Sequence, residues 1–244
     1  MKVVILLGPP GAGKGTQAPL LAQRLGIPIV ATGDLFRSAV RDGTPLGLEA
    51  RRYMDAGQLV PDDIVVRLLL DRLGRADARH GVILDGFPRT NVQAAALDRA
   101  LAERDQRVSA AVLIDVPEDE VMRRMSGRWI CRAAGHPYHA VFSPPDTAGV
   151  CDIDGSELYQ RADDKPDTVR ARMAQQLGAL ADVIAHYRDL GILISVDGLQ
   201  DIDDVARAID TALVAAGLAD PAPADDAAAP EAADRAPAET GDAR

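Results

Sequence analysis

The sequence predicts an α/β fold: a parallel β-sheet flanked by helices, carrying a helical insertion and a small β-rich one. Three observations predict it. Val3–Leu7 is a continuous apolar run of the kind found in strands buried on both faces, and the largely apolar segments 81–85, 110–116 and 192–196 also have the length of strands. Segments with helical spacing of apolar residues lie between them, and alternating strands and helices imply parallel pairing with helices on both faces. From Gly127 to about Asp164 the helical period gives way to Gly, Pro and alternating residues.

Taken in order, Val3–Leu7 ends in a Gly/Pro cluster and reads as the first strand. A helix follows from about Lys14 to Leu25. Pro19 lies inside it and should cost up to about 3 kcal/mol or force a kink. Ile27–Ala31 is a short strand. Helices follow near Gly33–Asp42 and Leu46–Ala56, and a third starts after Val60-Pro61. Gly81–Asp85 is a buried strand ending in an acid. Asn91–Glu103 is helical, with Leu97 and Leu101 one turn apart. Ala110–Val116 is the next strand, followed by a helix through Val121, Met122 and Met125. Beyond the β-rich segment, Pro166 opens a long helix whose apolar stripe is Val169, Met173, Leu177, Leu180, Ile184 and Tyr187. Gly191 ends that helix, Ile192–Val196 is a strand, and Asp203–Ala216 is the last helix. No internal repeat is visible.

The chain has 244 residues, 47% of them hydrophobic and only 3% aromatic, so its core must be aliphatic. A formal net charge of -10 argues against a general nucleic-acid binder, which needs a basic face. The run Val3–Leu7 is too short to cross a bilayer and no signal-peptide cleavage pattern follows it, so a cytoplasmic location is expected, without a membrane partner. Residues 219–244 hold Ala, Pro and acids but no Leu, Ile, Val or aromatic residue. They cannot offset their ordering entropy by burial and are expected to be a disordered appendage.

The sharpest motif is Gly8-Pro9-Pro10-Gly11-Ala12-Gly13-Lys14-Gly15-Thr16, placed between a buried strand and a helix. Glycines let backbone N–H groups wrap phosphates, and the helix N-terminus adds a favourable dipole. Lys14 supplies a charge for the outer phosphates and Thr16 a hydroxyl near Mg²⁺. The plain phosphate-loop pattern has Ser or Thr directly after Lys, whereas here Gly15 intervenes. Asp85, at a strand end, suits the acid that organises Mg²⁺, acting through water, although an acid there is often only a helix cap.

With these residues the chain resembles the adenylate kinases, nucleoside monophosphate kinases in which Gly sits between the Lys and Thr of the loop. Thr32-Gly33-Asp34-Leu35-Phe36-Arg37 resembles the start of their AMP-binding insertion. Asp85-Gly86-Phe87-Pro88-Arg89 with Gln93 resembles their AMP clamp. Gly127-Arg128 and Tyr159-Gln160-Arg161-Ala162-Asp163-Asp164 resemble the lid borders of the long-lid form. The resemblance spans about residues 1–217.

The resemblance implies a P-loop NTPase-type fold with a core at 1–31, 61–126 and 165–218, an NMP-binding insertion at 32–60, a lid at 127–164 and the tail at 219–244. It implies Mg²⁺-dependent, reversible transfer of the ATP γ-phosphoryl group to AMP, giving two ADP, in adenine nucleotide homeostasis. Gly11, Ala12, Gly13, Lys14, Gly15 and Thr16 would hold ATP, with Arg128 and the Gln200 backbone at its base, Arg124 near its phosphates, and Pro137 and Tyr138 where lid backbone touches ATP. Thr32, Arg37, Gln58, Leu59, Val60, Gly86, Phe87, Pro88, Arg89 and Gln93 would form the AMP pocket, with Gln93 reading adenine. Arg161 and Arg172 would reach AMP and the transferring group. Lys14, Arg89, Arg124, Arg128, Arg161 and Arg172 would be the catalytic cations. Thr16 and Asp85 would serve Mg²⁺. Such chemistry needs positioning and charge stabilisation more than a general base, which suits this arginine set. A monomer is expected, because a lid must swing freely.

Cysteine occurs only at 131 and 151. In some adenylate kinases the lid carries four zinc ligands, and the matching positions here are Cys131, Ala134, Cys151 and Asp154. One ligand is missing and His136 is the nearby substitute. A structural zinc, a metal-free lid and a disulfide all stay open. Two rival functions are weaker. A GTPase-type switch needs an Asn-Lys-x-Asp segment, which is absent. A non-catalytic nucleotide binder would be expected to lose Lys14 or a clamp arginine. A kinase of another nucleoside monophosphate is the nearest alternative.

Overall fold

A computed structural model describes residues 1–221 apart from 57, 162, 163 and 165; the side chains of 166, 172 and 175 are also outside the description. Its strands are β1 (Lys2–Leu7), β2 (Ile29–Ala31), β3 (Gly81–Asp85), β4 (Ala110–Asp115), β5 (Arg128–Cys131), β6 (Pro137–His139), β7 (Leu158–Tyr159) and β8 (Leu193–Asp197). The helices are α1 (Lys14–Leu25), α2 (Thr32–Arg41), α3 (Pro45–Asp55), α4 (Asp62–Leu73), α5 (Asn91–Ala102), α6 (Glu118–Ser126), α7 (Pro166–Asp189) and α8 (Ile202–Ala215).

The main sheet has the order β2-β3-β1-β4-β8, with every pair parallel. The central strand β1 explains its own sequence. Val3, Ile5 and Leu7 enter one hydrophobic cluster, whereas Val4 and Leu6 enter the other. A strand covered on both faces must be apolar at every position rather than alternately. The first cluster is filled from α2, α3, α4, α5 and the C-terminal half of α7, including the fully buried Tyr187. The second is filled from α1, α6, α8 and the start of α7, through Val169 and Met173.

Local chemistry fixes the helix boundaries. Gly13, at φ 101°, is the N-cap of α1 and adopts a left-handed conformation that a side chain would strain. Thr44 and Thr90 cap α3 and α5 by accepting the N–H groups of Gly47 and Gln93 at 3.1 and 3.2 Å. Gly47 allows α3 to press on α2: a Cβ there would lie 2.1 Å from the Ala39 carbonyl oxygen.

Pro19 does not end α1, which continues as one helix to Leu25. The hydrogen bond it removes would have gone to the carbonyl of Gly15, an exposed residue in the first turn. A short 3₁₀ turn at Ala76–Ala78, which no periodicity signals, precedes β3.

The segment after α6 folds as a small antiparallel sheet of order β6-β5-β7, with Trp129 opposite Tyr138 and Cys131 opposite Leu158. It has its own core of Cys131, Tyr138, Cys151 and Leu158, with Trp129 packed against it. At the other end of the chain, Ala219 packs on the second cluster and the Asp220 carbonyl accepts from Arg24. These residues meet the core beyond the tail boundary expected at 219; the rest of the tail, 222–244, lies outside the described residues.

Candidate functional site

The Gly-rich loop joins β1 to α1 and bends back over its own lysine. Lys14 Nζ donates to the carbonyls of Gly8 at 2.7 Å and Pro9 at 2.8 Å. Gly8 lies so close to β4 that a Cβ would meet the Ile114 carbonyl at 2.7 Å. The N–H groups of Thr16 and Gln17 both bond to the Gly13 carbonyl, starting α1 directly behind the loop. Asp85 faces the same helix start: its Oδ2 is 4.0 Å from where a Gly15 Cβ would be. Thr16 is exposed beside it.

One cavity opens next to this loop and a second adjoins it. One is lined by Gly8, Pro9, Pro10, Lys14, Pro88 and Leu177, among others. The second is lined by Thr32, Arg37, Gln58, Leu59, Val60 and Gln93, with apolar walls from Phe36, Met54 and Val65. Gly86, Arg89 and Gln176 line both, so the two spaces meet at a wall carrying one guanidinium and one amide. The backbone around this wall is cross-braced. Arg89 Nε donates to the Gly86 carbonyl at 2.8 Å, and Thr32 Oγ1 donates to the same carbonyl at 2.9 Å. Arg37 Nε is 3.2 Å from Asp34 Oδ1 on the exposed side of α2.

The structure therefore brings together Lys14 and Arg89, and separately Thr32, Arg37, Gln58, Leu59, Val60, Gly86, Arg89 and Gln93. Phe87, expected in the AMP pocket, is instead a buried member of the first core cluster, and Pro88 lines the first cavity rather than the second. The other cations are spread around the rim. Arg124 Nε donates to Glu120 at 2.7 Å and its terminal nitrogen to the Gly198 carbonyl at 2.9 Å. Hydrogen bonds from Arg123 and Arg124 hold the Glu120 carboxyl below its usual range. Arg128 pairs with the buried Asp164. Arg161 precedes α7, and Arg172 stands on α7 with its side chain outside the described residues. Pro137 and Gln200 are exposed, and the Tyr138 ring is buried in the small sheet.

Gln176 was missed by the sequence reading, although one signal existed. It lies three residues after Met173 and four before Leu180, so it is a polar residue on an otherwise apolar helix face.

The small sheet holds a second constellation. The ligand atoms of Cys131, His136, Cys151 and Asp154 all lie within 4.8 Å of one another. Cys131 Sγ is 3.1 Å from Asp154 Oδ2, and His136 Nδ1 is 3.3 Å from Cys151 Sγ and 3.5 Å from Asp154 Oδ2. Donor atoms around a tetrahedral zinc are separated by roughly 3.3–3.8 Å, so this set fits one. The turn between β5 and β6 thus brings His136 to the place that Ala134 leaves without a ligand; the Ala134 N–H meanwhile donates to Cys131 Sγ at 3.3 Å. Burial works against ionisation of Cys131, but hydrogen bonds from Ser156 and the Ala134 amide outweigh it and bring the thiol down to about 7. The Ser156 hydroxyl and amide hold Asp154 far below the usual carboxylate range. Both effects favour the deprotonated forms that bind metal.

Comparison with known proteins agrees with the architecture. The family model described as adenylate kinase matches residues 6–192. The adenylate kinase of Staphylococcus epidermidis is 47% identical over 204 residues, covering 84% of this chain and 95% of that protein. The adenylate kinase of Staphylococcus aureus shows the same identity and coverage.

Proposed function

The chain belongs to the adenylate kinase family, and from that membership we propose how its own side chains divide the work. The protein is a phosphotransferase that moves the γ-phosphoryl group of ATP to AMP, reversibly, giving two ADP. The family uses Mg²⁺ with ATP. When bound, Mg²⁺ neutralises charge on the phosphates; the oxygen donors of Thr16 and Asp85 suit it, acting through water.

In this reading the loop from Gly11 to Thr16 wraps the ATP phosphates with N–H groups, and Lys14 exchanges its loop carbonyls for phosphate oxygens. Thr32, Arg37, Gly86 and Arg89 hold the AMP phosphate, and Gln58 to Val60 with Gln93 surround its base. Arg89, common to both cavities, stabilises charge on the equatorial oxygens during transfer, joined by Arg124, Arg128, Arg161 and Arg172. The attacking atom is an AMP phosphate oxygen, largely ionised at neutral pH with a second pKa of about 6, so no side chain need act as base. The segment 127–164 acts as a lid that excludes water, with 32–60 as the AMP-binding insertion. Pro137, Tyr138 and Gln200 contact ATP through their backbones. Cys131, His136, Cys151 and Asp154 hold a structural zinc that ties the lid turns together. The enzyme works as a cytoplasmic monomer on ATP, AMP and ADP.

The observation that most supports this reading is the shared wall: Arg89 borders both the cavity of Lys14 and the cavity of Gln93. A coupled ADP-release assay with MgATP and AMP, CMP, UMP or GMP tests it. Turnover is expected with AMP, and a drop of about 100-fold or more in Lys14→Ala. Turnover with another monophosphate alone would overturn the assignment of Thr32 and Gln93; ATP loss without an acceptor would overturn the transfer itself.

A further inference from the structure

Gln93 is 1% exposed and lines the second cavity. A buried amide can sit in either of two orientations that exchange its oxygen and nitrogen, and these present opposite hydrogen-bonding patterns to a ligand. Here two neighbours decide between them. The backbone N–H of Arg89 donates to Gln93 Oε1 at 2.8 Å. Asp62 Oδ1 accepts from Gln93 Nε2 at 2.7 Å. A backbone N–H can only donate and a carboxylate can only accept, so turning the amide over would set donor against donor and acceptor against acceptor.

We propose that Asp62 is a specificity-determining positioning residue: it locks the orientation of the Gln93 amide and thereby sets which purine the second cavity accepts. Asp62 does not line the cavity itself and acts through Gln93. It is held in turn by Thr90, whose hydroxyl donates to the same Oδ1 at 3.0 Å while accepting the Gln93 backbone N–H at 3.2 Å. With one lone pair given to Arg89 and one N–H given to Asp62, Gln93 keeps one acceptor site on Oε1 and one donor on Nε2. Adenine offers the complement, a 6-amino donor beside a ring-nitrogen acceptor. A 6-oxo purine puts an acceptor where adenine has its donor, against Oε1. The plainer role for Asp62, a tie between the start of α4 and the start of α5, predicts no effect on purine choice.

The proposal rests on the reading that Gln93 faces the base of the monophosphate, so the experiment separates the two. The ratio of kcat/KM for AMP to that for inosine monophosphate, a 6-oxo purine, is measured in the parent protein and in Asp62→Ala, Asp62→Asn and Gln93→Leu. The parent is expected to favour AMP. The ratio falls by about tenfold or more in Asp62→Ala and by about threefold or more in the nearly isosteric Asp62→Asn, while KM for MgATP stays within about twofold of the parent value. Should Asp62→Ala fail to fold, Asp62→Asn decides alone. A collapse of the ratio in Gln93→Leu together with an unchanged ratio in the Asp62 variants overturns the lock and leaves Asp62 as a helix tie. An unchanged ratio in Gln93→Leu, or a parent that uses both monophosphates equally, overturns base reading by Gln93 and the lock with it.

Discussion

Arg128, at the start of the small sheet, is tied to Asp164, just before α7: the guanidinium donates through Nε at 2.8 Å and through a terminal nitrogen to the two oxygens of one carboxylate, 36 residues further along the chain. The Asp164 side chain is 0% exposed and that of Arg128 26%. A two-point contact of this kind fixes orientation as well as charge.

Arg128→Ala is expected to cost about 1.5–3 kcal/mol, because the buried Asp164 carboxylate loses its bidentate partner. The loss should appear first in the small sheet, read as faster hydrogen exchange around Trp129. Arg67→Ala, which removes a pair 73% exposed on both sides, should change stability by less than about 0.5 kcal/mol. Equal effects from the two substitutions would contradict the buried pairing.

His139 predicts a pH dependence. Its Nδ1 accepts the N–H groups of Val141 and Phe142 at 3.0 and 3.1 Å, so the ring must be neutral for both bonds to persist. Burial pushes its pKa below 6.5. Because the folded value is depressed, the contribution is fully present above 6.5 and is lost as the pH falls through the folded value. Melting of the small sheet should therefore move to lower temperature on acidification below that point. His139→Asn, whose side-chain oxygen can accept the same amides, should flatten the profile; an unchanged slope would remove His139 as the cause.

Protein purified without a polyhistidine tag should carry close to one zinc per chain, and less than about 0.2 would sink the zinc assignment. Substituted cobalt should give the intense visible absorption of a tetrahedral sulfur-containing site. His136→Ala should retain less than half the metal of the parent, whereas retention at the parent level would mean that His136 is not a ligand.

Gly47→Ala must push α3 away from the Ala39 carbonyl, 2.1 Å from the new Cβ, at a cost of about 1–3 kcal/mol. Since α2 carries Thr32 and Arg37, KM for AMP should rise while KM for MgATP holds. A parallel rise in both constants would show that the strain spreads beyond α2.

What was legible in the sequence was local. Val3–Leu7 announces a strand covered on both faces, and Gly8–Thr16 announces a phosphate loop, because neighbouring residues carry each signal. Gln93 was legible through the family resemblance, but Asp62 was not. It stands 31 residues away and looks like any acid at a helix start; only the fold brings its carboxylate to the amide. His136 is similar. Its position in the sequence makes it a candidate, but the turn geometry between β5 and β6 decides that it reaches Cys151. Pro19 shows the opposite limit, a strong local rule yielding to a helix whose lost bond falls at an exposed first turn.

The lysine cradled by the Gly8 and Pro9 carbonyls also has a consequence for chemical labelling. Lysine occurs in this chain only at positions 2, 14 and 165, arginine having taken the other basic positions. An acylating reagent thus meets three side-chain amines, and one of them sits in the phosphate loop. Protection of the single peptide containing Lys14 as nucleotide is added would turn an ordinary mass-spectrometric footprint into a titration of the loop, with Lys2 and Lys165 as internal standards on the same molecule.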